Sequence, residues 1–234
     1  MALQAQQIVT LACQIAKASG FTSQAGQLLN SILSDLCQTY DFKSAFKTQT
    51  VTLTPSNGSG PYPLPSDYLR MAMNELFYYV DGVPYVMINL DLWEYDRLVQ
   101  QPGISNYPEF FATDTSTTPK SLFVWPPSGG SYVTTLRYYS QMADIPTPET
   151  STAVPWFPNQ NYLITRVAGE LMKITGDERS TAFLGNGPDG AEGILTKFLK
   201  LQADDEGRAK TVQLDRRRFG SSFNRLPITK TLGW

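Results

Sequence analysis

Histidine is absent from this chain of 234 residues. With it go the Ser-His-Asp triad, the Cys-His pair, the imidazole zinc ligand and the commonest general base near neutral pH. Catalysis is therefore the weakest of the functional readings, and nothing in the sequence implies a cofactor or a metal. Cysteine is scarce, since Cys13 and Cys37 alone are too few for a disulfide scaffold. If the first two helices form a hairpin turning near Gly20, a rise of 1.5 Å per residue sets these cysteines at levels roughly 13 Å apart. A bridge spans no more than about 7 Å between Cα atoms, so both are expected as free core thiols. No apolar run approaches the roughly eighteen residues that cross a bilayer, and the N-terminus has neither the basic region nor the apolar core of a secretory signal. The expectation is a protein made in the cytoplasm, with no membrane contact. No internal repeat recurs at a solenoid period.

Net charge is also small, at −2, but it is unevenly spread. Arg208 to Trp234 holds seven Lys or Arg against one Asp, a net +6, which leaves −8 on residues 1–207. An acidic body thus carries a basic tail, and such a tail usually docks on an acidic surface or on nucleic acid. Arg216, Arg217, Arg218 and Arg225 alternate there with Phe219, Phe223, Leu226 and Trp234. A purely solvated tail would not keep such large apolar groups, so the segment is expected to be an extended docking peptide.

Hydrophobic periodicity organises the rest. Leu3 to Ser19 places Ile8, Leu11, Ala12 and Ile15 on one helical face, with Gly20 as the expected helix-ending glycine. A second helix starts after Thr22 or Ser23 as N-cap and runs through Leu28, Leu29, Ile32, Leu33, Leu36 and Tyr40. Gln49 to Thr54 alternates like a strand, and Pro55 to Pro63 reads as a surface loop. Four prolines between Ile145 and Pro158 lead to a third helix over Asn159 to Thr175, ending at Gly176. Asp189 and Glu192 suggest a capping box for a fourth helix bearing Ile194, Leu195, Phe198, Leu199 and Leu201.

Between these helices, Tyr62 to Tyr139 holds most of the aromatic residues. Glu75–Val80 and Val83–Asn89 are β-branched and aromatic runs joined by Asp81-Gly82, a pair suited to a two-residue hairpin. Ser121–Trp125 and Tyr132–Tyr139 suggest a second hairpin around Pro126-Pro127 and Gly129-Gly130. Leu92, Tyr95, Leu98 and Val99 predict a short helix behind Asp91 as N-cap, covering one sheet face. The fold class expected is α+β. A bundle of about four helices, residues 1–48 and 146–207, would carry an inserted small antiparallel β domain, residues 49–145, and an extended tail, residues 208–234. The outer helices must meet to bury their apolar faces, which makes the sheet an insertion.

Other chemistries fit poorly. Gly185 to Gly190 matches GxGxxG, yet no strand leads into it, Pro188 lacks an N–H and Asp189 would repel a phosphate, so a helix-joining turn is the simpler reading. Asp91 and Asp96 are five apart on a helix and point in different directions, unlike a glycosidase pair. Tyr78, Tyr79, Tyr85, Trp93, Trp125, Tyr138 and Tyr139 suggest a stacking platform for sugars or bases, but alternation puts only about half of them on either face. A carbohydrate-binding or cell-wall-directed module is the alternative function on this ground.

The middle region also resembles the head-to-tail adaptor (connector) proteins of short-tailed bacteriophages, of the tail tubular protein A kind. The residues that carry the resemblance are Leu64-Pro-Ser-Asp-Tyr-Leu-Arg70, the Trp93–Leu98 helix after a hairpin, Trp125-Pro-Pro127 and Leu136-Arg-Tyr-Tyr139. The similarity runs from about Tyr62 to about Leu201. It implies a viral structural protein of the tail neck, assembled in the host cytoplasm. Copies would form a ring, usually of twelve, between the capsid portal and further tail or nozzle proteins. Double-stranded DNA would pass through the lumen without sequence specificity, and an acidic lumen would let it slide. The tail lies beyond that similarity, but with the portal as the partner so implied, its own character as a docking peptide makes Arg216, Arg217, Arg218, Phe219, Phe223, Arg225, Leu226 and Trp234 the expected portal-docking residues.

Overall fold

The computed structural model describes residues 2–100 and 107–205, and its helices and mixed sheet make the chain α+β. Helices α1 (Ala5–Ile15) and α2 (Thr22–Thr39) come first. Strands β1 (Phe46–Leu53), β2 (Tyr62–Pro63), β3 (Tyr68–Met71), β4 (Glu75–Val80) and β5 (Val83–Asn89) follow. Helix α3 (Leu92–Val99) leads to β6 (Phe110–Asp114), β7 (Ser121–Trp125) and β8 (Tyr132–Ser140). Helices α4 (Gln160–Thr175), α5 (Ser180–Leu184) and α6 (Ala191–Asp205) complete the described chain.

The helical core joins the two ends of that chain. Ile8, Val9 and Ala12 of α1 pack with Leu29, Ile32 and Leu36 of α2 and with Leu163, Val167 and Leu171 of α4, and Leu195 of α6 closes the cluster. Phe157 is fully buried among Phe42, Trp156, Tyr162 and Phe198, with ring centroids 5.2–5.8 Å away. The chain re-enters this core at Ile145, whose carbonyl and N–H are both bonded by the Asn30 side chain, at 2.9 and 3.1 Å.

Helix ends show where local signals hold and where they fail. Asn159 caps α4 by accepting from the Tyr162 N–H at 3.1 Å, and Gly176 ends it in the left-handed region at φ 74°. Helix α1 does not run to Gly20. Lys17 takes the left-handed position (φ 54°), and the Ala18 N–H reaches back to the Cys13 carbonyl at 2.9 Å. That closes the last turn as a Schellman motif three residues early, and a 3₁₀ turn over Ser19–Phe21 absorbs the glycine. Phe21, not Thr22 or Ser23, is the residue before α2, and no side chain caps it. The expected capping box at α6 is displaced as well. Gly190 accepts the first helical bond from Ile194, while Glu192 pairs with Arg166 at 2.6 Å. Gly185 to Gly190 lies between α5 and α6, so a helix and not a strand leads into it. Cys13 and Cys37 are free and buried.

The sheet has eight strands in the order β1-β8-β4-β5-β6-β7-β2, with β3 also on β8. The β4–β5 hairpin forms as expected, with Val80 opposite Val83 and both Asp81 (φ 49°) and Gly82 (φ 81°) in the left-handed region that a two-residue turn needs. Two expectations are overturned. The sheet is not purely antiparallel, because β5 and β6 run parallel at Ile88↔Phe110 and Asn89↔Phe111, with α3 as the crossover. Nor do β7 and β8 form a hairpin: β7 pairs with β6 and β2, while β8 pairs with β1, β3 and β4. Pro126 and Pro127 supply no donors for such a ladder. Ser128 instead donates from its N–H to Gly58 and from its hydroxyl to Gly130, tying the segment to the loop before β2.

A joint links sheet to helices, and the Leu64–Arg70 motif forms it. Leu64 and Tyr68 are buried in the sheet core, and Asp67 accepts from the Tyr138 hydroxyl at 3.0 Å and pairs with Lys47. Burial raises the Asp67 carboxyl, but the bonds from Lys47 and Tyr138 outweigh it and hold the group below its ordinary value. Arg70 leaves the sheet to cap α2. Its guanidinium donates to the carbonyls of Cys37 (3.3 Å), Gln38 (2.8 Å) and Tyr40 (2.9 Å), pairs with Asp41 at 2.7 Å and lies over the Tyr139 ring. Cys37, Ala45 and Tyr139 form a small buried cluster beside it.

Candidate interaction surface

Alternation along β4 sends Leu76, Tyr78 and Val80 toward the sheet core and Glu75, Phe77 and Tyr79 outward. On β5 the alternation stops mattering, because Val83, Pro84, Tyr85, Val86 and Ile88 are all exposed and only Met87 is fully buried. The cause is topological. Strand β4 is ladder-paired with β8 only at Tyr78↔Thr134, and β6 with β5 only at Ile88 and Asn89, so among the described residues the turn end of the hairpin has no further strand paired to it. Its outer face presents Phe77, Tyr79, Pro84, Val86 and Ile88, paired across the strands, with Tyr79 64% exposed. Met73, Thr135 and Arg137 flank this face.

The inner face of the hairpin is stiffened by tyrosines. Tyr78 stacks on Tyr85 (5.5 Å) and meets Tyr132 (5.0 Å), and Tyr107 stacks on Tyr85 (5.2 Å). The Tyr78 hydroxyl donates to the Pro108 carbonyl at 3.0 Å. Burial, followed by the neighbouring Tyr132, Tyr85 and Glu109, pushes its pKa far up, so it stays a donor at any working pH.

Three further surfaces stand out among the described residues. Edge strand β1 pairs with β8 on one side only, and Phe46 to Thr50 are exposed. The opposite edge, β2, is two residues long and contains Pro63, the usual way of blunting an edge. On α3, Trp93 is 67% exposed beneath the Arg97 guanidinium, 5.0 Å from its ring, beside a hollow of about 570 Å³ that reaches Phe110. A polar trough of about 630 Å³ runs along α2, with Asp35 and Asp144 as its only charged residues.

The aromatic residues weighed as a stacking platform divide between interior and surface. Tyr78, Trp125, Tyr138 and Tyr139 are buried, while Tyr79, Tyr85 and Trp93 are exposed on separate faces. The carboxylates Asp91, Glu94 and Asp96 make no group of three or more potential metal ligands, and none exists among the described residues. No described helix is long and apolar enough to cross a membrane. The docking residues Arg216, Arg217, Arg218, Phe219, Phe223, Arg225, Leu226 and Trp234 lie outside the described residues. The hairpin face escapes a reading based on alternation, yet one signal was present: Val83-Pro-Tyr-Val-Met-Ile88 has no polar residue, although one face of an outer hairpin should carry them.

No curated protein matches the chain significantly. A family model described as SU10 adaptor protein matches residues 4–221, from the first helix into the segment beyond the last described one. Spanning nearly the whole sequence, this match establishes that the chain belongs to the SU10 adaptor protein family.

Proposed function

We propose that this protein is a bacteriophage head-to-tail adaptor, a structural component of the neck that is assembled in the host cytoplasm and stays in the virion. About twelve copies form a ring between the capsid portal and further tail or nozzle proteins, and packaged double-stranded DNA passes through its lumen. The observation that carries this reading is the adaptor-family match over residues 4–221. The charge of −8 on residues 1–207 supports a lumen along which DNA slides without adhering. Residues 1–48 and 146–207 act as the helical body, residues 49–145 as an inserted β domain, and residues 208–234 as the portal-docking tail.

In the docked tail, Arg216, Arg217, Arg218 and Arg225 pair with portal carboxylates, and Phe219, Phe223, Leu226 and Trp234 fill apolar pockets. Ordering about twenty residues costs on the order of 1–2 kcal/mol each for the backbone, so charge alone cannot hold the segment and the apolar anchors must contribute. Electron microscopy of the protein mixed with the portal of the same phage is the direct test, with a ring of density below the portal expected. Deleting residues 208–234 should leave the body folded and abolish attachment. Phe219→Ala with Phe223→Ala should weaken it at all salt concentrations, and Ala at positions 216–218 chiefly at low salt. Unchanged affinity after the deletion would show that the tail is not the attachment device. Absence of any portal complex would remove the adaptor reading itself.

A further inference from the structure

We propose that the β4–β5 hairpin is the surface by which one copy of this chain grips the next, and that its seat on the neighbour is the open edge strand β1 with Phe46. This rests on the ring reading above and specifies the contact that makes the ring. Three observations carry it.

The first is area. Phe77, Tyr79, Val83, Tyr85, Val86 and Ile88 are between 36% and 64% exposed within one hairpin. At about 200 Å² for each aromatic and about 100 Å² for each aliphatic side chain, Phe77, Tyr79, Val86 and Ile88 leave roughly 300 Å² of apolar surface in water on the outer face, and Val83 and Tyr85 add roughly 100 Å² on the inner one. One side of a standard interface buries about 800 Å², a little over half of it apolar. The outer face alone therefore supplies about two thirds of the apolar share of one side.

The second is the seat. In an antiparallel pair only alternate residues bond to the partner, so half of the eight residues of β1 direct N–H and C=O away from β8. Apart from the Phe46 N–H, which closes the preceding turn on the Lys43 carbonyl, no backbone bond beyond the β1–β8 ladder is seen for this strand among the described residues. With no proline or bulge in β1, this edge lacks the protection that β2 has at the other end of the sheet.

The third is complementarity. Residues 75–89 carry Glu75 and Asp81 and no base, whereas residues 42–53 carry Lys43 and Lys47 and no acid, with Lys47 shared with Asp67 of its own chain. In the sheet order, β1 opens on one side, while the edge of β5 that β6 leaves unpaired among the described residues faces the other side, with β8 and β4 between them. Two unlike patches facing opposite ways produce a head-to-tail contact, the kind that propagates around a ring. Pairing β1 with β1, or hairpin with hairpin, would stop at a two-fold dimer.

The test uses the full chain assembled on the portal of the same phage, with a benzophenone amino acid at Tyr79 and a mixture of isotopically light and heavy protein. After irradiation, mass spectrometry should find the label joined to a peptide from residues 42–53 of a different copy. Capture of residues 208–234, of the portal, of another hairpin or of the same molecule would overturn the proposal, as would rings without any capture while the ring reading survives. If no more than one copy ever binds each portal, the ring reading fails first and this contact with it. Independently, Tyr79→Asp with Val86→Asp should lower the fraction of portals bearing complete rings by about tenfold or more, with the far-ultraviolet circular dichroism unchanged. A folded double variant that forms rings normally would contradict the assignment.

Discussion

Arg70→Ala should lower the unfolding free energy by about 2–4 kcal/mol, although about a third of the side chain is exposed. The size follows from its contacts. The bonds to Gln38 and Asp41 lie at exposed positions, where water and screening leave roughly 0–1 kcal/mol each. The bonds to the Cys37 and Tyr40 carbonyls are part-buried, and losing a charged donor to such a group costs roughly 1 kcal/mol or more. The ring of Tyr139, 5.3 Å beneath the guanidinium, adds about 0.5–1 kcal/mol. Arg70→Lys keeps the charge at the C-terminal end of α2 but cannot fork across three carbonyls, so it should restore less than half of the loss. Urea unfolding followed by circular dichroism measures both variants, with Arg137→Ala as a control. Arg137 is exposed and its guanidinium donates to the Met73 sulfur at 3.8 Å, so its removal should cost under about 0.5 kcal/mol. An Arg70→Ala loss as small as the control would refute the idea that Arg70 holds the sheet to the helices.

Phe157→Ala removes a fully buried ring shared by four aromatic neighbours and should cost about 3–5 kcal/mol in the same assay. Asp67 has a lowered folded-state pKa, so its contribution is fully present above the unfolded value near 3.9 and is lost as pH falls through the folded one. Asp67→Asn should accordingly flatten the acid limb of stability below about pH 4, measured by unfolding at a series of pH values. Its partner Tyr138, pushed up to about 12 by burial and then by Asp67, has the opposite sign: stability is complete below about pH 10 and lost as pH rises through about 12. Replacing residues Val51 to Asp144 by a short flexible linker should leave a soluble helical product if the sheet is an insertion, and a product without helical circular dichroism would sink that model.

Helix α4 is legible in the sequence because its signals are local: Asn159 at one end, Gly176 at the other, and apolar residues every three or four positions between. The β4–β5 hairpin is legible for the same reason, through Asp81-Gly82. Strand partners elsewhere are not, because β7 and β8 each satisfy strand patterning without revealing that Phe110–Asp114 and Phe46–Leu53 are their mates. Pairing across such separations is decided by the shared core of Leu53, Leu76, Leu122 and Leu136, which no window of adjacent residues contains. The five-residue α5 is too short to show a period, and Lys17 ends α1 where local rules favour glycine. Of the contact surfaces, the tail announces itself by charge, whereas the exposure of the hairpin depends on how little β6 and β8 overlap it.

Helices α1 and α2 rest against α4, yet 120 residues lie between Thr39 and Gln160. A ribosome adding about 5–20 residues per second needs roughly 6–24 s to cross that interval. Throughout it, Ile8, Leu29 and Leu36 have each other but not Leu163, Val167 or Leu171, the side chains that complete their cluster. The first helices made are among the last elements to be covered. A nascent chain of this design therefore carries a sticky N-terminal pair while its whole sheet emerges, which makes early synthesis the stage at which it most needs a chaperone or a low local concentration of its own kind.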